Sequence, residues 1–78
     1  MAVPSLKQVS DCRIAIYPRD HWPAHVHVEF RDGDRCTVEI ETLVVSGSVR
    51  PSGRLKTALG WIAANRDMLL AKWKEIVR

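Results

Sequence analysis

Apolar and polar residues alternate through three short segments of this chain, which then changes to a helical period. Cys12, Ile14 and Ile16 alternate with Arg13, Ala15 and Tyr17; Val26, Val28 and Phe30 with His25, His27, Glu29 and Arg31; Cys36, Val38 and Ile40 with Arg35, Thr37, Glu39 and Glu41. A period of two sends one set to a core and the other to a polar face, so each segment predicts a half-buried strand. Asp32-Gly33-Asp34 supplies the turn between the second and third, because glycine and aspartate tolerate tight-turn backbone angles. A three-residue loop that pairs Phe30 with Cys36, Val28 with Val38 and Val26 with Ile40 keeps both apolar sets on one side. The same register puts His27 opposite Glu39 and His25 opposite Glu41. Across the other edge of the central strand, matching apolar sets places Ile16 opposite Val26, Arg13 opposite Glu29 and Tyr17 opposite His25. Leu43-Val44-Val45 extends the sheet after a bulge, until Ser46-Gly47-Ser48 breaks it.

Beyond Ser52, which is placed as an N-cap, Leu55, Ala58, Leu59 and Ile62 share one helical face, and Leu69, Trp73, Ile76 and Val77 another. An unbroken helix from Ser52 to Val77 would run about 37 Å at ~1.5 Å per residue, far longer than a ~20 Å strand. A break is therefore expected near Asn65, which ends one helix and caps the next, with Asp67 favourable in the new first turn. The expectation is a single α+β domain over residues 1–78. It has an antiparallel sheet of three strands or slightly more over about residues 12–45, and two C-terminal helices over about 52–77 packed on one face. The polar face of the sheet, with its histidines, would be left uncovered.

Composition narrows the class. With 78 residues, 46% hydrophobic and 27% charged, the chain is globular, but its core is small enough that a dimer or a partner would help it. No apolar run approaches the ~20 residues of a membrane helix and no signal pattern opens the chain, so a cytoplasmic protein away from membranes is expected. Residues 1–49 hold five Lys or Arg against seven Asp or Glu, whereas residues 50–78 hold seven against two, giving −2 and +5. The basic helices thus offer a surface for nucleic acid or an acidic protein. Cys12 and Cys36 fall on the inward face of strands either side of the central one, about 9–10 Å apart and beyond the ~7 Å reach of a disulfide. They are expected as free, buried thiols.

All three histidines lie in Asp20-His21-Trp22-Pro23-Ala24-His25-Val26-His27-Val28. Three readings compete for them. His25 and His27, two apart on one strand face, can converge on a metal with His21 from the loop and Glu39 or Glu41 from the neighbouring strand. That donor set suits zinc, nickel, copper or iron rather than calcium. Alternatively His21, His25 and His27 are catalytic acid and base groups acting on a phosphodiester, with Arg13 or Arg31 stabilising charge. In the third reading the histidines pair across strands with Glu39 and Glu41, while Asp20 and His21 shape the turn. Trp73 belongs to the core. Trp22, Pro23 and Trp61 are candidate partner contacts, since large aromatics are enriched both in packing and in interfaces.

The segment Asp20-His21-x-Pro23-x-His25-Val26-His27-Val28, followed by an acidic strand, by Leu55 to Ile62 and by Asn65-Arg66 through Leu70 to Trp73, resembles the small bacterial proteins grouped as domain of unknown function 4160. Trp22 and Ala24 stand where members of that family often carry further prolines. The resemblance implies His21, Pro23, His25 and His27 as a signature. It further implies a toxin and antitoxin type arrangement in which this chain binds the protein encoded by an adjacent gene. A homodimer and a histidine-based nuclease or hydrolase, with or without a metal, stand beside that expectation.

Overall fold

The computed structural model describes residues 5–77. Five strands, β1 (Ser5–Val9), β2 (Cys12–Ala15), β3 (His25–Phe30), β4 (Arg35–Glu39) and β5 (Val45–Ser48), form one antiparallel meander in chain order. A short 3-10 turn, Ser52–Leu55, leads into helices α1 (Lys56–Ala64) and α2 (Arg66–Ile76). The α+β class and the two C-terminal helices are as expected, and the sheet is larger than three strands.

The two additional strands are at the edges. β1 joins β2 through Ser10-Asp11, with Ser10 at a positive φ of 54°, and an irregularity between Ser5 and Lys7 shifts its register. β5 contains the Ser46-Gly47-Ser48 expected to end the sheet. The chain reverses earlier, where Leu43 adopts φ 64°, Glu39 N–H donates to the Val44 carbonyl and Leu43 N–H donates to the Glu39 carbonyl. Gly47 (φ 110°) lies opposite Cys36, and a Cβ there would come within 3.1 Å of the Cys36 Cα. Glycine here serves close strand approach rather than termination.

The central hairpin has the expected faces but a different register. Val26 pairs with Val38, Val28 with Cys36, His25 with Glu39, His27 with Thr37 and Glu29 with Arg35. This is two residues tighter than expected, because the loop is Arg31-Asp32-Gly33 with Phe30 N–H donating to the Asp34 carbonyl at 2.8 Å and Gly33 at φ 97°. A two-residue slip preserves the alternation, so every side chain stays on its expected side. On the opposite edge Arg13 faces Glu29 as expected, and Ile14 faces Val28.

The apolar side is closed by the helices. Ile14, Ile16, Val26, Val28, Val38 and Ile40 are fully buried against Leu55, Ala58, Ile62, Leu69 and Trp73. Ser52 makes no cap: Pro51 precedes the 3-10 turn and no side chain bonds to its free amides. Asn65 does sit at the break between α1 and α2, but its side-chain amide donates back to the Trp61 carbonyl at 2.8 Å instead of capping α2. Asp67 occupies the first turn of α2, where the helix dipole favours it.

Arg54 fastens the helical layer to the strand turns. Its guanidinium donates to Asp32 at 2.9 Å, to Asp34 at 3.2 Å and to Asp11 at 3.2 Å, and lies 4.1 Å over the Phe30 ring. The Arg54 hydrogen bond holds the Asp32 carboxyl below its ordinary value. Part of the charge asymmetry between the halves is thus internal complementarity. Cys12 and Cys36 are free and buried as expected, and burial pushes both thiols up, leaving them protonated core groups.

Candidate active site

The polar face of the sheet is organised around Asp20. Residues 16–24 leave β2, fold back over the sheet and re-enter at β3. Ile16 and Ala24 are buried and hold the two ends, and Ile40 N–H donates to the Ala24 carbonyl at 3.0 Å. The turn within the loop is closed reciprocally, with Asp20 N–H bonded to the Tyr17 carbonyl at 3.0 Å and Tyr17 N–H to Asp20 Oδ2 at 3.1 Å. That brings the Asp20 carboxylate to the histidines. His27 Nε2 lies 3.1 Å from each of its oxygens, and His25 Nε2 lies 3.7 Å from Oδ1.

The partners fix the tautomers. His25 Nδ1 is 2.8 Å from the Pro23 carbonyl, which only accepts, so Nδ1 carries a hydrogen and in the neutral ring Nε2 presents a lone pair. The ionised Asp20 likewise only accepts, so His27 Nε2 donates to it. The His25 and His27 ring centres are 5.2 Å apart. His25 is further backed by Trp73, at 5.0 Å between ring centres, and Trp73 is in turn met edge-on by Trp22 at 5.6 Å. The exposed side of the sheet is therefore not bare: the Asp20 and His25 side chains retain only 13% and 15% exposure, under the loop and the tryptophan wall.

A second tier holds His27. Tyr17 packs edge-on against its ring at 4.6 Å and donates its hydroxyl to Glu29 Oε2 at 2.5 Å. Arg13 closes on Glu29 Oε1 at 2.6 Å. Burial pushes Glu29 up, but the Tyr17 hydroxyl and Arg13 outweigh it and hold the carboxyl below its ordinary value. For Tyr17, burial and the Glu29 bond both raise the phenol, which stays a donor.

Two depressions meet at His27. One, of about 430 Å³, is lined by Asp20, His21, Pro23, His25, His27, Thr37, Glu39, Val44 and Ser46. The other, of about 500 Å³, adds Tyr17, Glu29 and Arg35 and shares His27, Thr37 and Ser46. Among the described residues Arg35, which lines this depression, shows no ion pair.

Of the residues singled out by sequence, His25 and His27 are brought together and His21 stands at the rim, exposed, its ring 6.1 Å from His25. The expected carboxylates do not join them. Glu39 lines the depression and faces His25 across the strands, yet its carboxylate is engaged by the Thr42 hydroxyl. Glu41 is exposed in the β4–β5 turn. The cross-strand pairing of His27 with Glu39 and His25 with Glu41 is replaced by Asp20, in the loop before β3. Arg13 is committed to Glu29, and Arg31 sits in the hairpin loop. Trp22 is 57% exposed and Trp61 partly buried against the core.

An α+β domain whose polar sheet face gathers a histidine pair around one aspartate is thus the class that fold and site define. The chain belongs to the family described as domain of unknown function (DUF4160), whose model matches residues 12–74. Comparisons with curated proteins and with solved structures returned no match. Among the described residues, no helix is long and apolar enough to cross a membrane.

Proposed function

We propose that this chain is a small hydrolase of phosphodiesters, working from the polar face of its sheet. The observation that carries this reading is the oriented pair: His25, its lone pair fixed by the Pro23 carbonyl, beside His27, its proton held on Asp20. In its neutral form His25 can accept a proton at Nε2, and His27, when doubly protonated and held through Nε2–H by Asp20, can give one and return to the neutral ring, as displacement at phosphorus requires. Arg35 and the Thr37 and Ser46 hydroxyls supply a cation and donors for the phosphoryl oxygens in the adjoining depression. The test is cleavage of RNA and of an activated phosphodiester by untagged protein, against the double variant His25→Ala, His27→Ala. Loss of about 10²–10⁴ in rate, with the far-ultraviolet dichroism unchanged, is expected. Equal cleavage by both proteins would sink the reading.

A second reading, partner binding within a two-protein toxin and antitoxin type module, is supported by a different part of the surface. β5 is an open edge; Val44 and Val45 are 58% and 37% exposed beside a groove of about 590 Å³ running between β5 and Leu55 and Leu59. Open edges with apolar flanks invite strand addition. Here co-expression with the product of the adjacent gene is expected to yield a complex that Val44→Asp, Val45→Asp prevents. A wild-type chain that stays monomeric and co-purifies with nothing would end this reading.

A further inference from the structure

We propose that Asp20, His25 and His27 bind a divalent first-row transition metal ion, with zinc the first to test. The inference rests on the three side chains of the proposed hydrolase site; a bound ion would take the His25 lone pair and the His27 Nε2 position and would supply Lewis-acid chemistry in place of the imidazole pair, and its test needs no substrate, so each can fail alone.

An electrostatic conflict lies between His25 and Asp20. When the His25 ring is neutral its Nε2 lone pair is turned toward the Asp20 carboxylate at 3.7 Å, and both are acceptors. A positive species between them removes the repulsion. The three residues each offer one ligand atom, all within 4.8 Å of one another and all half-buried. Around a tetrahedral zinc ion with bonds of about 2.0–2.1 Å, ligand atoms stand roughly 3.3–3.4 Å apart. The Asp20 Oδ1 separations from His27 Nε2 and His25 Nε2, 3.1 Å and 3.7 Å, bracket that value. Binding needs neutral His27 only to change tautomer, its proton passing from Nε2 to Nδ1.

The surroundings are also those of a ligand set. Ligating imidazoles commonly donate their other nitrogen to a carbonyl, which fixes the ring, and His25 does this to Pro23. Asp20 is anchored through Oδ2 by the Tyr17 amide. Two imidazoles and one carboxylate favour zinc, iron, cobalt or nickel, whereas calcium and magnesium want more oxygens. Three protein ligands leave positions open toward the depression that Thr37 and Ser46 line. The Cys12 and Cys36 thiols belong to the core cluster, so no sulfur joins the set.

The experiment is metal content by mass spectrometry of untagged protein, followed by titration of the stripped protein with zinc and with cobalt as a coloured probe. About one equivalent bound more tightly than ~10 µM is expected, with visible cobalt bands and no thiolate charge-transfer absorption. Asp20→Asn, His25→Ala and His27→Ala should each weaken binding at least about a hundredfold, more than an outer-shell change does. His21→Ala and Glu39→Gln should cost under about tenfold. No binding of zinc or cobalt by the folded wild type overturns the proposal, as does binding that survives Asp20→Asn together with His25→Ala. In the first case a proton on His25, seen in its nitrogen chemical shifts, takes the place assigned to the metal. Cleavage without metal would leave the hydrolase reading standing alone, and metal without cleavage would leave the ion site standing alone.

Discussion

Trp73→Ala is expected to cost about 3–5 kcal/mol of folding stability, the usual range for deleting a fully buried large aromatic. Trp73 is 0% exposed and sits where α2 meets the sheet, packed with Leu69 and Ile62 in the core and touching the rings of Trp22 and His25. A chain of this size carries ~0.05–0.15 kcal/mol of stability per residue, so the loss would take much of it. Trp73→Phe should behave differently. The indole Nε1 is buried and has no hydrogen-bond partner among the described residues, and an unmet buried donor costs about 1–3 kcal/mol. Phenylalanine removes that penalty while keeping most of the packing, so a net cost under about 2 kcal/mol is expected. Urea midpoints of the two variants against wild type check this. Equal losses for Ala and Phe would mean that the indole nitrogen, rather than ring volume, secures the contact. The consequence reaches the site: with phenylalanine the His25 resonance should hold its position, and with alanine it should broaden or shift as the wall behind that ring is lost.

What could be read from sequence was parity; what could not was register and loop return. Alternation with period two assigns each residue of β2, β3 and β4 to a face, and those assignments hold from Cys12 to Ile40. Parity is blind to a slip of two, and the slip was decided by Gly33 at φ 97°, which lets the hairpin close on Phe30 and Asp34. β1 was hidden because its core-facing residues, the partly buried Leu6 and the buried Val9, are three apart, a spacing that follows from its register shift. β5 was hidden because Ser-Gly-Ser reads as a breaker until the close approach of Cys36 explains the glycine. The histidines were legible as a group, since His25 and His27 share a strand face. Asp20 was not legible as their partner, because an irregular loop carries no period from which its return to the sheet can be deduced. Its adjacency to His21 and the Tyr17-to-Asp20 span of a tight turn were the only signals. Arg54 shows the same limit: three turn aspartates from distant segments, Asp11, Asp32 and Asp34, find one cation that the sequence counts only among the surplus charges of the basic C-terminal part.

Asp20→Asn is expected to lower phosphodiester cleavage by about 10²–10⁴ while leaving the fold in place, the range set by losing a properly oriented acid or base. Asparagine is nearly isosteric, and its Oδ1 can still accept from the Tyr17 amide that Oδ2 now receives. The carboxylate's second task cannot be kept. With one oxygen used in the turn, the NH₂ group faces His27 and turns an acceptor into a donor. His27 Nε2, 3.1 Å from both positions, then faces one oxygen and one donor in place of two acceptors, which favours the form with its lone pair at Nε2 and its hydrogen on Nδ1. This is the wrong tautomer for a histidine meant to carry its proton at Nε2, the same loss of orientation that removing the aspartate of a serine-protease triad causes. Long-range proton–nitrogen correlation spectra report the tautomer directly. In wild type, neutral His25 should show its hydrogen on Nδ1 and His27 on Nε2; in the variant His25 should be unchanged and His27 reversed. Glu39→Gln, on the same face but engaged by Thr42, should alter neither. Retention of the Nε2–H form of His27 in Asp20→Asn, with activity intact, would show that the carboxylate does not set the proton. Reversal of the tautomer with no loss of activity would show that His27 is held for structure, and would move the chemistry to His25 alone.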